Sequence, residues 1–348
     1  MRYIVPEYYA DFRCKCGKCR ASCCEGWSVT VSMNEYFRLL GMDCPPKIRR
    51  RLDAALHISP SPSPEHYAEI GKDWTGRCYM HRGDGLCALQ AECGEDALPE
   101  ICRMYPRSVR GGNASKMSCA NSCEAVVETL ARTTGPLAFS VADSDAAPET
   151  EEDARIKADV QKECILLMQD RRLPIYARLE NIARRLGAEV SGRDNVGLAL
   201  DALRTVAGCF TDSASAGELC ECALRRYAGA DAAEVFARDD EALTRRYPAN
   251  SAAAENLIVN HMFYTDFPYS DRRESEQEDV VSLAAVCAFL RWALAARLAS
   301  EDCDAIGATA SLFRLIEHSD FDRNALVLLG RGGYITPDGI SALMRLCR

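Results

Sequence analysis

The chain has 348 residues, of which 48% are hydrophobic and 27% are charged, and its formal net charge is −9. This composition is typical of a globular protein with one large or two ordinary domains. The negative charge argues against nucleic acid as the main partner, because phosphate binding requires clustered Lys and Arg. No apolar run reaches the length of about 18 residues that a membrane-spanning helix needs, so we expect no membrane partner.

Cysteine content separates the two parts of the chain. Of the 19 cysteines, twelve lie within residues 14–123 and seven within residues 124–348. The N-terminus lacks the long apolar core of a secretory signal, so this number of thiols favours a reducing, cytoplasmic location, where cysteines bind metals or stay reduced. We therefore predict a Cys-rich metal-binding domain over residues 1–134 and a helical domain over residues 135–348.

The densest group of cysteines lies in residues 14–27, with sulfurs at positions 14, 16, 19, 23 and 24. Thiolates bind soft metals, and short spacings allow one loop to supply several ligands to one centre. Buried thiols and a disulfide knot are the alternatives. The density of cysteines favours a metal or cluster site.

Short elements follow this group. Alternation predicts a strand over residues 27–32, and capping signals predict a helix over residues 35–40. A basic helix is predicted over residues 47–56. The Pro-rich residues 60–64 cannot lie inside a helix, so they form a connection.

Five more candidate ligands come next in the sequence. Cys78 and Cys87 flank an Asp-Gly turn, which predicts a β-hairpin or a knuckle. Cys102 lies in the last turn of a helical segment that a proline ends. Cys119 and Cys123 form a Cys-x3-Cys motif at the start of a helix that runs to about residue 131.

The spacing of the cysteines restricts the kind of metal site. A zinc ribbon would need two Cys-x2-Cys knuckles, and this region has one, Cys16 to Cys19. Cys16, Cys19 and Cys23 have the spacings of a radical S-adenosylmethionine enzyme only in reverse order, and this departure argues against that class of enzyme. Scattered all-Cys ligation suits an iron–sulfur cluster at least as well as zinc. The candidates outnumber one four-coordinate site, so either two centres exist or some thiols are structural or redox-active.

Helical periodicity dominates the rest of the chain, and its cysteines lie among apolar neighbours as predicted packing thiols. The fold class predicted is therefore mainly α, with an irregular Cys-rich N-terminal domain that contains short β elements, followed by an all-α domain. Ten helices are predicted after residue 150: 154–171, 174–186, 194–207, 216–228, 233–247, 251–265, 275–299, 304–318, 324–329 and 337–347.

Three polar residues lie on one face of the helix predicted over residues 251–265. Asn256 and Asn260 are four residues apart, and Tyr264 follows on the same face. Asn is a poor choice for a helix interior unless its amide has a partner. The stripe is suited to hydrogen-bond a ligand, and a neighbouring helix is the alternative partner.

Taken together, these motifs resemble the flagellin lysine-N-methylase family, and the resemblance spans most of the chain. It is carried by Cys14, Cys19, Cys23-Cys24 and Gly26-Trp27, by Cys78 and Leu86-Cys87, by Cys102-x-x-Tyr-Pro-Arg107, by Ser118-Cys119-x3-Cys123 and by the Glu-Asn-x-x-Val-Asn…Phe-Pro stretch at 255–268.

The resemblance implies an activity, cofactors and a partner. The activity is the methylation of lysine side chains on flagellin, with S-adenosylmethionine as the small-molecule methyl donor. The implied cofactor is an iron–sulfur cluster, with 4Fe-4S as the first choice and zinc as the alternative. A non-enzymatic zinc- or iron-binding scaffold or redox protein, with a helical protein-docking domain, is the alternative function.

The resemblance also implies site residues. Cys16, Cys44 and Cys93 do not belong to its pattern and are left out of the ligand set. Trp27 and Arg107, beside the cysteine motifs, are candidates for cofactor contact, and Asn256, Asn260 and Tyr264 are the catalytic candidates. The candidate metal ligands are Cys14, Cys19, Cys23, Cys24, Cys78, Cys87, Cys102, Cys119 and Cys123.

Overall fold

Helices make up most of the regular structure. A computed structural model describes residues 2–20, 22–110, 115–143, 151–246, 250–269, 275–300 and 304–347. Over these residues the chain forms fifteen α-helices, seven short strands and two short 3₁₀ helices. The prediction of a mainly α fold is confirmed.

The strands are β1 (Arg2–Pro6), β2 (Val29–Val31), β3 (Leu56–Ile58), β4 (Ala68–Ile70), β5 (Arg107–Arg110), β6 (Ser115–Cys119) and β7 (Phe139–Asp143). The helices are α1 (Met33–Gly41), α2 (Pro46–Ala55), α3 (Ala88–Cys93), α4 (Glu100–Met104), α5 (Glu124–Arg132), α6 (Glu151–Met168), α7 (Ile175–Arg185), α8 (Val196–Ala207), α9 (Gly217–Arg226), α10 (Ala232–Arg246), α11 (Asn250–Tyr264), α12 (Glu276–Ser300), α13 (Ala305–His318), α14 (Phe321–Arg331) and α15 (Pro337–Arg345).

Each of the ten helices predicted after residue 150 coincides with one of α6 to α15. Helix α6 lies three residues nearer the N-terminus than the predicted 154–171, and α14 is longer at both ends than the predicted 324–329. Its buried apolar residues are Phe321, Ala325 and Leu329, four residues apart. Burial of this stripe extends the helix beyond the apolar run that the sequence shows.

The chain forms two compact units, residues 13–107 and residues 1–12 with 108–348. This division differs from the domain boundary predicted at residue 134. The physical reason is strand pairing: β1 lies between β6 and β7, parallel to β6 and antiparallel to β7, in a sheet of order β5-β6-β1-β7. Backbone hydrogen bonds therefore join the first residues to the 115–143 region, and β6 of that region packs against α11.

The unit of residues 13–107 is built on a small antiparallel sheet of order β2-β4-β3. Its core includes Leu39 of α1, Ile48 and Leu52 of α2, and Leu89 of α3, each at most 1% exposed. Apolar residues on one side of each short helix meet at this core. Because Leu89 lies in the first turn of α3, this packing holds the start of the helix, which directly follows the candidate metal ligand Cys87.

The other unit is organised around α12, which packs against α9, α10, α13, α14 and α15. Phe289 and Trp292 of α12 are at most 1% exposed. Residues 276–299 are long and apolar enough to cross a membrane, but the protein itself buries 83% of the tested window. In this structure α12 is a core helix, and its burial within the protein accounts for its apolar composition.

Candidate functional site

The nine predicted metal ligands are divided between the two units. Seven of them belong to the unit of residues 13–107, and Cys119 and Cys123 belong to the other. Cys119 ends β6 and is fully buried, and Cys123 is the residue directly before α5. The seven remaining candidates are not arranged alike, and four of them form a group.

This four-thiol group consists of Cys23, Cys78, Cys87 and Cys102. Burial raises the pKa of Cys102, and the charges of Cys78, Cys87 and Cys23, in that order, raise it further. Burial is also the largest cause of the raised pKa of Cys78, with contributions from Cys87 and Cys23. The sulfur of Cys102 therefore lies within electrostatic range of the other three, and Cys23 lies within that range of Cys78 and of Cys87.

Backbone hydrogen bonds bring the members of the group to one place. The amide of Cys78 donates to the carbonyl of Cys24 at 2.8 Å, which ties the hairpin to the first cysteine loop. Cys87 pairs with His81 across the turn and directly precedes α3. The predicted hairpin or knuckle between Cys78 and Cys87 therefore forms as a tight turn with one bridge.

Cys102 lies within α4, and α1 holds that helix in place. The amide of Glu100 donates to the carboxylate of Glu35 at 2.6 Å. Arg38 donates to the carbonyl of Leu98 at 3.0 Å, just before α4 begins. Glu35 also closes a capping box with Ser32 at the start of α1, so the same carboxylate orders both helices.

Backbone N–H groups point at two of the four sulfurs. The amide of Met80 donates to Sγ of Cys78 at 3.4 Å. Amides of Gln90 and Leu89 in the first turn of α3 donate to the sulfur of Cys87 and oppose the effect of burial on its pKa. Hydrogen bonds of this kind stabilise thiolates and tune metal–thiolate and iron–sulfur centres.

These residues fit, in donor type and number, a centre with four cysteine ligands. Cys78 and Cys87 are half-buried and Cys23 and Cys102 are exposed. Neighbouring thiolates repel one another unless a positive charge compensates them, and a metal ion or cluster supplies that charge. Among the residues that the structure describes, no three His, Cys, Asp or Glu side chains are already arranged to hold a metal ion. The four thiols are thus grouped side chains and not a preformed coordination shell.

The remaining cysteines of the first loop differ in their exposure to solvent. Cys14 is exposed, and the amide of Cys16 donates to its Sγ at 3.4 Å. Cys19 and Cys24 are half-buried. Their role as ligands stays a prediction.

Trp27 lies directly beside the four-thiol group. Its indole N–H donates to the carbonyl of Cys23 at 2.5 Å, and its ring meets Tyr105 edge-on with centroids 4.8 Å apart. These contacts hold the Cys23 loop against the residues that follow α4. Arg107 begins β5. Cofactor contact by Trp27 and Arg107 stays a prediction.

The catalytic candidates lie on α11, in the other unit. Asn256 is fully buried, and it accepts from the amide of Leu137 at 3.1 Å and donates to the carbonyls of Thr133 at 2.8 Å and Gly135 at 3.2 Å. Its amide therefore ties α11 to the connection that follows α5. Tyr264 is also buried.

Asn260 is fully buried at the centre of a second network. Its amide nitrogen donates to the carbonyl of Cys119 at 2.9 Å and to Oδ1 of Asn121 at 2.7 Å, and its oxygen accepts from the hydroxyl of Tyr8 at 2.6 Å. The network connects α11 to β6 and to the N-terminal segment. A catalytic role for Asn256, Asn260 and Tyr264 stays a prediction.

A buried carboxylate next to this network was not found by sequence reasoning. Glu317 of α13 accepts from the amide of Ser122 at 3.1 Å and lies 3.3 Å from Nδ1 of His261. Burial raises the pKa of Glu317, and the contact with His261 opposes the rise. The hydroxyl of Ser122 and Nε2 of His318 are 2.7 Å apart. In the sequence, the sign of a polar cluster here is the pair Asn121-Ser122 between Cys119 and Cys123.

Comparisons with known proteins give a partial likeness. No protein-family model matches the chain. No solved structure matches it either. Over 104 residues, 30% of this chain, it is 27% identical to proteins named lysine-N-methylase from Salmonella choleraesuis (strain SC-B67) and Salmonella typhimurium (strain LT2), and the match covers 25% of each. It is 26% identical over 104 residues to the flagellar biosynthetic protein FliU of Salmonella muenchen, covering 60% of that protein.

The chain therefore matches about a quarter of the length of the two lysine-N-methylases. At this level of identity and coverage the likeness is distant, and it concerns part of the chain. This likeness agrees with the family resemblance that the cysteine motifs indicated. The names of the matched proteins refer to lysine methylation and to the flagellum.

Proposed function

We propose that this protein is a lysine N-methyltransferase that uses S-adenosylmethionine, acts on flagellin and carries an iron–sulfur cluster. The observation that carries the proposal is the group of Cys23, Cys78, Cys87 and Cys102, four of the nine ligands that the resemblance implies. The names of the distant relatives support the methyltransferase activity and the flagellar substrate.

The four-thiol group would hold the cluster. When bound, the cluster would supply positive charge to the thiolates and a structural or redox-sensitive centre. The chain's own contribution is to gather the sulfurs, to place the amides of Met80 and the first turn of α3 on them, and to keep α4 in register through Glu35. All of these residues lie within one compact unit.

Lysine methylation requires a neutral amine that is aligned with the methyl group to be transferred. A desolvated pocket lowers the pKa of a lysine, and oxygen acceptors orient the amine. Asn256, Asn260 and Tyr264 are our candidates for that role. Since protein groups now occupy both Asn side chains, a catalytic role requires that the substrate displace some of those hydrogen bonds.

Charge distribution favours a cationic protein substrate. Residues 13–107 contain 14 Lys and Arg and 12 Asp and Glu, whereas the remainder contains 28 Lys and Arg and 39 Asp and Glu. The negative excess of the chain thus belongs entirely to the unit that carries α11. A negative field raises the rate at which a lysine-bearing surface approaches.

The decisive experiment starts from protein purified without oxygen. We expect a brown protein with iron and acid-labile sulfide, calorimetric binding of S-adenosylmethionine, and transfer of labelled methyl groups to flagellin lysines. Stoichiometric zinc without iron would reject the cluster. The scaffold or redox alternative predicts a metal-loaded protein that neither binds S-adenosylmethionine nor methylates flagellin.

A further inference from the structure

The end of α11 and the turn that follows it hold the side chain of a lysine. Nζ of Lys116, in β6, pairs with the carboxylate of Asp266 and lies 5.9 Å from the centre of the Phe263 ring. A carboxylate and the face of an aromatic ring are two kinds of group that attract an ammonium in proteins. Lys116 therefore makes, within its own chain, the contacts of a lysine bound at a recognition site.

Asp266 has an unusual backbone conformation. Its φ of 59° lies in the left-handed region, which a residue with a side chain rarely adopts. Gln161 of α6 fixes the turn, because its Nε2 donates to Oδ1 of Asp266 at 3.3 Å and to the carbonyl of Phe267 at 2.9 Å. Strained conformations are concentrated at binding and catalytic sites, and here the strain sets the position of one carboxylate.

The two charged partners differ in their access to solvent. The side chain of Lys116 is 11% exposed, and that of Asp266 is 36% exposed. A second cation can therefore approach the carboxylate from its solvent side. The backbone of Lys116 is fixed by the pairing of β6 with β1, but its amino group is carried on a flexible stem of four carbons. The amino group can leave the carboxylate while the sheet stays as it is.

From this geometry we infer that Asp266 and Phe263 form a binding site for a lysine side chain of the protein substrate, and that Lys116 occupies the site when substrate is absent. The incoming ammonium takes the place of the Lys116 ammonium on the carboxylate and over the ring. Lys116 then extends into solvent. Because one cation replaces another of the same kind, the exchange leaves no buried charge without a partner.

The site serves recognition and is not the place of methyl transfer. An ion pair favours the charged form of an amine, and a charged amine has no lone pair with which to attack a methyl group. Phe263 lies on the same helix as the catalytic candidates Asn260 and Tyr264. The site therefore favours a substrate that carries a second lysine near the one to be methylated. The inference rests on the proposed function for the identity of the protein that carries these lysines.

The test measures the binding of a lysine side chain to the full chain. The probe is Nα-acetyl-lysine amide, and Nα-acetyl-norleucine amide, which has no ammonium, is the control ligand. Lys116→Met removes the competing ammonium and keeps most of the length of the side chain. A tethered competitor acts at an effective concentration in the millimolar range. In a ligand-observed NMR titration, Lys116→Met should therefore bind the lysine probe about tenfold more tightly than wild type.

Further variants separate the contribution of each group. Asp266→Asn, added to Lys116→Met, should abolish the gain, because the amide lacks the charge but tolerates the left-handed backbone. Lys116→Arg keeps a cation on the carboxylate and should bind the probe no better than wild type. Lys162→Met, at an exposed position on α6, is the matched control and should leave binding unchanged.

Three results would overturn the inference. One is that folded Lys116→Met binds the lysine probe no better than wild type. Another is an equal gain for the norleucine ligand, which would show that the ammonium is not recognised. The third is a gain that persists after Asp266→Asn has been added.

If Lys116→Met does not fold, wild type provides the answer. Nα-acetyl-Nε-trimethyllysine amide carries a cation that acetic anhydride cannot modify. When this ligand displaces Lys116, acetylation of Lys116 should become faster, and acetylation of Lys162 should not change. An unchanged rate at Lys116 under a saturating excess of the ligand would also overturn the inference.

These measurements require neither a methyl donor nor a cluster. Methylation of flagellin by a protein that shows no gain in binding would refute this site and leave the proposed function intact. A gain in binding without methylation would refute the proposed function and leave the lysine site intact.

Discussion

Oδ1 of Asn260 accepts a hydrogen bond of 2.6 Å from the hydroxyl of Tyr8, 252 residues earlier in the chain. The amide nitrogen of Asn260 donates to the carbonyl of Cys119 and to Asn121. One side chain thus connects the N-terminal segment, the Cys-x3-Cys motif and α11. A predicted catalytic residue with this many partners has a measurable structural role, whatever its part in the chemistry.

We expect Asn260→Leu to lower the free energy of unfolding by about 3 kcal/mol, because a buried carbonyl and an amide oxygen lose their donor. Tyr8→Phe removes one hydroxyl and should cost about 1 kcal/mol. Denaturant unfolding of the two variants measures both values. Unfolding of Asn260→Leu at the wild-type midpoint would contradict the structural role.

The same variant tests catalysis when methyl incorporation is compared with the folded fraction. A catalytic Asn260 predicts that methylation of flagellin lysines disappears even where the protein is folded. If Asn260 acts only as a bridge, activity should fall in proportion to folded protein. Tyr8→Phe serves as the matched control, since it weakens the same network and keeps the amide.

Cys78→Ala, Cys87→Ala and Cys102→Ser should each abolish stoichiometric iron binding, because the four-thiol group loses one of four donors. Cys220→Ala, which removes a fully buried thiol on α9, should leave the iron content unchanged. Iron and sulfide analysis after anaerobic purification checks the contrast. Equal iron loss in both sets would show that the division into site and packing thiols is wrong.

Glu317 should make the stability of its unit depend on pH. Burial raises its pKa in the folded state, so the protonated form favours folding. The contribution is fully present below the ordinary Glu pKa of about 4.3 and is lost as the pH rises through the raised folded value. Glu317→Gln removes this dependence.

The measurement is denaturant unfolding of wild type and Glu317→Gln from about pH 4 to about pH 7. The stability of the variant relative to wild type should increase with pH over that window and then stay constant. Glu241→Gln, at an exposed position on α10, should show no such trend. A relative stability of Glu317→Gln that falls as the pH rises would reverse the sign and refute the assignment.

Ser32→Ala should lower the free energy of unfolding of the unit of residues 13–107 by about 1 kcal/mol, because it removes the capping box of α1. Ser61→Ala, at an exposed position in the Pro-rich connection, should change it by less than about 0.5 kcal/mol. Chemical denaturation of both variants provides the comparison. Equal effects would mean that the cap does not stabilise α1.

Local patterns in the sequence predicted the helices well. Apolar residues three and four positions apart, as at Leu179, Ile182 and Leu186, face the core in almost any fold, and all three are buried here. The density of cysteines likewise identified the region that carries the thiol group. Both signals depend on neighbours within a few residues, so they can be recognised without the tertiary structure.

The pairing of the strands could not be predicted from the sequence. The sequence pattern predicted no strand over residues 2–6 or 139–143. In the structure β1 pairs with β6 and β7. These short strands carry little periodicity, and partners over 100 residues apart are selected by the whole sheet.

The sequence by itself determined that the chain is mainly helical, that its thiols are concentrated before residue 124, and that its motifs resemble one family. Only the tertiary structure decided which thiols are neighbours: Cys23, Cys78, Cys87 and Cys102 in one group, with Cys44 and Cys93 apart from it. It also decided that Asn256 and Asn260 have partners within the protein. The reason is that sulfur–sulfur proximity and burial of a side-chain amide depend on how distant segments pack, and the spacing of residues along the chain does not encode those distances.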